Sequence, residues 1–213
     1  MIIVDIIIIV FLFSLFAFSH SILASDKIKT TAAEKLGDRI AFYRLFYNVS
    51  SLIFFLTFYV LSPKPDFVVY DLQFPFDIFV FVLQVLSFAG LIWAVTSIKL
   101  KEFLGIAQIV RFINGKYDID DLDEKQSFKI DGANKLVRHP VYLFSILFIA
   151  FRPTMNLFYM VTSICIVVYF YIGSFYEERK LVKKFGSEYL LYQKNVPRIF
   201  PFKLRWIKTE GKN

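Results

Sequence analysis

Apolar positions along this chain run on without the alternation of a soluble fold. Five stretches stand out: about Ile2 to Ser19, Phe42 to Leu61, Phe76 to Ser97, Pro140 to Phe151, and Met155 to Phe175. A helix rises about 1.5 Å per residue, so about 20 residues cross the roughly 30 Å hydrocarbon core of a bilayer. Four stretches reach that length. The fourth, with about 12 residues, is roughly 18 Å long as a helix. Arg152-Pro153 turns the chain between the fourth and fifth. The pattern predicts an all-α integral membrane protein of about five transmembrane helices, helices four and five forming a hairpin with unequal arms. Beyond the fifth, Leu181, Phe185 and Tyr189 recur every four residues, while Lys180, Lys183 and Lys184 lie elsewhere on the wheel. That predicts a C-terminal amphipathic helix lying on the membrane or over a cleft, ended by Val196-Pro197. Trp206 fits an interfacial anchor. One domain accounts for residues 1–213: three helices in 1–97, a cytosolic loop in 98–139, then the hairpin and C-terminal helix in 140–213.

Charge adds an orientation. All of the 25 Lys and Arg residues except Lys64 and Arg152 fall in three regions: Ala24 to Arg44, Lys99 to Arg138, and the tail from Arg179. Five crossings put these regions on one side, and the positive-inside rule makes that side cytosolic, with the N-terminus outside. The net charge of +7 therefore points to membrane lipids as partners, not nucleic acid. The first stretch resembles a signal peptide in its apolar run, but Asp5 stands where a positive n-region belongs, so a retained first span is expected. A single cysteine, Cys165, excludes an internal disulfide and a metal–thiolate cluster; no metal site is expected. The acidic stretch Tyr117 to Lys125 lacks the glycine and ligand spacing of a calcium loop and reads as a solvated loop.

Candidate chemistry gathers where the fourth stretch begins, in LVRHPVYLF from Leu136 to Phe144. Proline at a helix's first position costs no hydrogen bond, so Pro140 starts helix four with His139 at its cap. That helix end attracts anions, and Arg138 adds a fixed charge with a planar fork. On helix five, Glu177 and Glu178 directly follow the apolar run. Ionisable groups at membrane depth are costly and face a cavity or a partner, which makes a polar cleft across the hairpin one reading. The other reading is a snorkelling arginine, a capping histidine and glutamates paired with nearby Lys or Arg.

These residues carry a resemblance. Arg138-His139-Pro140-x-Tyr142, Glu177-Glu178, Phe185-Gly186-x-x-Tyr189-x-x-Tyr192 and Val196-Pro197 together resemble the tail of the isoprenylcysteine carboxyl methyltransferase and phospholipid methyltransferase superfamily. His20-Ser21-Ile22-Leu23-Ala24-Ser25, Tyr43-Arg44-Leu45-Phe46-Tyr47-Asn48 and Gly105-Ile106-Ala107-Gln108 are similar to the bacterial methanethiol S-methyltransferases and NnrU-like membrane proteins. The resemblance implies a membrane methyltransferase that uses S-adenosylmethionine, bound on the cytosolic side between the hairpin and the C-terminal helix. It implies cofactor contacts from Gln108, Asn134, Arg138, His139, Pro140, Tyr142, Glu177 and Glu178, with His139 and Glu177 as catalytic candidates. Its acceptor would be a small or lipophilic molecule, foremost a thiol.

Ala133, Asn134 and Phe144 stand where many relatives carry Pro, Tyr and Gly, so the shape of the pocket departs from theirs. Gly173 stands where the prenylcysteine enzymes carry a substrate arginine, which weighs against a prenylated carboxylate. A phospholipid or isoprenylcysteine carboxyl acceptor stays an alternative. So does a haem-binding membrane protein or isomerase, because both histidines, His20 and His139, lie in motifs associated with haem in NnrU-like relatives.

Overall fold

A computed structural model describes residues 1–118 and 130–202. The acidic stretch from residue 119 onward and Trp206 lie outside the described residues. In chain order the elements are α1 (Ile2–Ala24), α2 (Asp26–Leu36), α3 (Tyr43–Leu61), β1 (Val68–Asp71), α4 (Phe76–Thr96), α5 (Leu100–Phe103), α6 (Ile106–Ile113), α7 (Pro140–Ala150), β2 (Thr154–Asn156), α8 (Leu157–Phe185) and α9 (Ser187–Asn195). Among the described residues the protein is all-α apart from the two short strands. Four helical stretches among the described residues are long and apolar enough to cross a membrane, and α7 is a shorter apolar helix. Large apolar side chains face outward along them: Ile3 is 74% exposed, Val60 71% and Phe79 62%. Lipid, not water, is the solvent in which such a surface is stable.

The chain forms two compact units. The first comprises residues 1–67 and 98–127. In it α1 packs on α3 through edge-to-face pairs, Phe13 with Phe58 and Phe16 with Phe55, each with centroids 5.5 Å apart. Where these helices near their shared polar end, His20 joins them, Nδ1 lying 2.8 Å from Ser51 Oγ and Nε2 2.7 Å from the Tyr47 hydroxyl. The carbonyl of Phe103 accepts from Arg44 Nε and Asn48 Nδ2, which fastens α5 to the start of α3. The short helices α5 and α6 stand in what the sequence presents as plain loop; each is too short for its apolar period to register.

The second unit comprises residues 68–97 and 128–213. Here α4 packs along α7. Gly90 lies directly beneath the Phe144 ring, so this bulky residue is received by a glycine on the facing helix. Gln84 Nε2 donates to the carbonyl of Phe148 at 3.1 Å. Strand β1 pairs antiparallel with β2, Tyr70 opposite Met155 and Asp71 opposite Thr154. Between the 11 residues of α7 and the 29 of α8 the chain bends at Pro153 and runs extended over β2. Extended residues advance about 3.3 Å each against about 1.5 Å in a helix, so the three residues of β2 supply roughly 10 Å.

Helix α8 runs past the end of its apolar stretch, straight through Glu177 and Glu178 to Phe185. The predicted C-terminal amphipathic helix is thus divided. Leu181 and Phe185 belong to α8, Gly186 breaks the helix with φ at +58°, and Tyr189 belongs to the separate α9. Glycine adopts that left-handed backbone without steric cost. The apolar stripe folds inward: Tyr189, Tyr192 and Val196 are buried, with Leu181, Val182 and Phe185 packed against them.

Candidate functional site

Glu177 stands about 20 residues beyond Leu157, roughly 30 Å along the α8 axis and therefore near the end of a bilayer crossing. Helix α7 begins at Pro140, its first helical position, with His139 as N-cap. The chain after α9 returns alongside this start. The N–H of Arg138 donates to the carbonyl of Pro197 at 2.9 Å, and that of His139 to the carbonyl of Arg198 at 3.0 Å. Ile199 then buries itself with Val137, Leu143 and Ile146. Three segments distant in sequence thus meet at one polar cluster.

Glu178 is its centre, with its side chain 4% exposed. Oε1 accepts from Arg138 Nε at 2.7 Å and lies 3.2 Å from His139 Nε2. Oε2 accepts from Arg138 Nη2 at 3.1 Å, Gln193 Nε2 at 2.9 Å and Arg198 Nη2 at 3.0 Å. Arg138 closes its fork on this carboxylate and directs Nη1 to the carbonyls of Gln193 and Val196. A buried carboxylate is stable only with such paired cations and filled lone pairs. Arg138 and Glu178 are thereby committed to each other and to the backbone.

Glu177 is differently placed. Its side chain is 47% exposed. Oε2 accepts from the Tyr142 hydroxyl at 3.0 Å and lies 3.4 Å from His139 Nδ1. His139, itself buried, therefore has a carboxylate at each ring nitrogen. Burial opposes charge on the ring, but the hydrogen bonds and charges of Glu177 and Glu178 outweigh it, and the pKa is raised. His139 thus lies between the two glutamates, one carboxylate at each ring nitrogen. Its ring stacks on Tyr142, centroids 5.1 Å apart, and Tyr142 stacks on Phe170 at 4.3 Å. The result is a rigid aromatic column topped by a half-exposed carboxylate.

Asn134 takes part through its backbone, its carbonyl accepting from the Tyr192 hydroxyl at 2.6 Å. Burial pushes the phenols of Tyr189 and Tyr192 well up, so both stay neutral. Gln108 belongs to the first unit, on α6. It lines a small cavity there with Lys29, Tyr43, Arg44, Tyr47 and Tyr117, donates from Nε2 to the carbonyl of Glu102 at 3.1 Å, and keeps a buried Oε1 with no hydrogen-bond partner. Of the residues singled out in the sequence, the structure gathers Asn134, Arg138, His139, Pro140, Tyr142, Glu177 and Glu178 in the second unit. Two members of the cluster carry no motif signal, Gln193 and Arg198. Arg198 directly follows Val196-Pro197, and that adjacency is the one trace of it in the sequence.

The sequence has relatives with names. Methanethiol S-methyltransferase 1 of Bradyrhizobium diazoefficiens is 31% identical over 197 residues, covering 90% of this chain and 65% of that protein. The methanethiol S-methyltransferase of Pseudomonas deceptionensis is 28% identical over 193 residues, covering 90% of this chain and 71% of that protein. The chain is similar to these methyltransferases over about 90% of its own length. It spans 65% of the length of the first of them. Methanethiol S-methyltransferase 2 of B. diazoefficiens is 29% identical over 194 residues, covering 89% of this chain and 71% of its own. No family model matches the chain, and no solved structure does. The similarity covers nine-tenths of the chain, so it is not confined to the tail motifs.

Proposed function

We propose that this protein is a membrane methyltransferase that transfers the methyl group of S-adenosylmethionine to a small thiol of the methanethiol type. The observation that carries the reading is the similarity along 90% of the chain to proteins named methanethiol S-methyltransferase. The local chemistry fits the donor. S-Adenosylmethionine brings a sulfonium, an ammonium and a carboxylate, and the cluster offers a half-exposed carboxylate, Glu177, beside fixed cations.

When bound, the cofactor supplies a methyl group on a sulfonium, open to in-line attack by a nucleophile. The chain's own contributions are positional. Tyr142 and His139 hold Oε2 of Glu177, so that the carboxylate meets the cationic part of the donor without reorganising. Arg138 and Glu178 lock α7, α8 and the returning tail against one another and so fix the two holders. His139 lies between the two carboxylates and serves as a holder. The apolar helices exclude water, and small apolar thiols reach them through the lipid. The basic regions and the cluster face the cytosol, where a charged cofactor is supplied.

The haem alternative has less support. His20 is engaged at both nitrogens by Ser51 and Tyr47, and His139 by two glutamates. Transfer of labelled methyl from S-adenosylmethionine to a panel of thiols, phospholipids and prenylcysteines tests the proposal. Labelled methyl thioethers are expected; label in lipid or carboxyl methyl ester alone would contradict it.

A further inference from the structure

Arg138, the arginine that the sequence points to as a carboxylate fork, has closed that fork inside the protein. Arg198 has not. Among the described residues its one side-chain hydrogen bond runs from Nη2 to Glu178 Oε2. Nε is buried with no partner. The guanidinium carbon lies over Phe175, 3.7 Å from the ring centroid, a cation–π contact that anchors the group. The side chain is 25% exposed, so the group is reachable. Its exposed N–H groups have no further side-chain partner among the described residues, so an incoming acceptor can take them.

Glu178 already receives donors on both oxygens, so it cannot take on the open ones of Arg198.

We propose that Arg198 is the residue that binds the carboxylate of an amino-acid-bearing ligand, which under the methyltransferase reading is the carboxylate end of S-adenosylmethionine. The inference rests on that reading for the ligand's identity and on the open donors of Arg198 for the contact. Glu177 and Arg198 then divide the zwitterion, the carboxylate of the protein facing the ligand's positive groups and the guanidinium facing its negative one. The two are coupled through His139 and Glu178.

The test compares binding of S-adenosylmethionine with that of its decarboxylated analogue, which keeps the sulfonium and the nucleoside. Calorimetry on the purified full chain should show the wild type preferring the intact cofactor by roughly tenfold or more, the worth of a charge-assisted hydrogen bond. Arg198→Met should bind both compounds alike, at about the wild-type affinity for the analogue. Arg198→Lys keeps the charge on Glu178 but loses the fork, and should narrow the preference. Equal affinities in the wild type, or a preference that persists in Arg198→Met, would overturn the assignment. If Arg198→Met does not fold, the wild-type comparison and Arg198→Lys decide in the same way. A wild type that binds neither compound refutes the cofactor reading, and the assignment with it, by a result distinct from equal binding.

Discussion

Glu177 and Glu178 are neighbours in sequence with opposite expected responses to the same substitution. In Glu178→Gln, a buried carboxylate 4% exposed is replaced by an amide. Arg138, Arg198 and His139 lose their shared counter-charge, and the amide N–H₂ must point at donors already directed at Oε1 or Oε2. Breaking one side of a buried pair costs about 3–5 kcal/mol. For a chain of this size that corresponds to a fall of roughly 10 °C in the unfolding temperature. Glu177→Gln removes a carboxylate that is 47% exposed, keeps an oxygen for the Tyr142 hydroxyl, and should cost about 1 kcal/mol or less. The assay is thermal unfolding of both variants in the same detergent, read by the near-ultraviolet signal of the aromatic residues. Glu178→Gln unfolding at the wild-type temperature, or Glu177→Gln falling as far as Glu178→Gln, would refute the division of labour between the two glutamates.

Other consequences follow from the same contacts. His139 has a raised pKa in the folded state, so its contribution to stability is complete below the ordinary value of 6.5 and is lost as pH rises through the folded-state value. The wild type should therefore lose thermal stability from pH 6 to pH 9 with a steeper slope than His139→Gln; parallel slopes would contradict this. Gly90→Ala would press a methyl group into the Phe144 ring and should cost about 1–3 kcal/mol, measured by chemical or thermal unfolding. Combining it with Phe144→Leu should restore part of the loss, and simple additivity would show that the two positions are not in contact. Gly186→Ala, at φ +58°, should destabilise the junction of α8 and α9 by about 1 kcal/mol, seen as faster proteolysis near that turn than in the wild type.

Much of this was legible in the sequence because the membrane imposes length. Apolar runs of about 20 residues announce α1, α3, α4 and α8, and Pro140 marks the start of α7 because proline is tolerated there. The meeting of Arg138 and His139 with Glu177 and Glu178 followed from hairpin geometry and from the tail motifs. Three things did not show. The pairing of β1 with β2 depends on partners some 85 residues apart, and strands of three and four residues carry too little pattern. The break at Gly186 is masked by an apolar stripe that continues across it at helical spacing. Arg198 reads as one of many basic tail residues until the returning backbone places it against Glu178.

The central claim is that the half-exposed Glu177 carboxylate, held by Tyr142 and His139, grips a methyl donor. Calorimetric titration of the purified protein with S-adenosylmethionine tests it most directly. The wild type should bind one equivalent, and Glu177→Gln, folded to the wild-type unfolding temperature, should bind at least tenfold more weakly. An unchanged affinity in that folded variant would contradict the account.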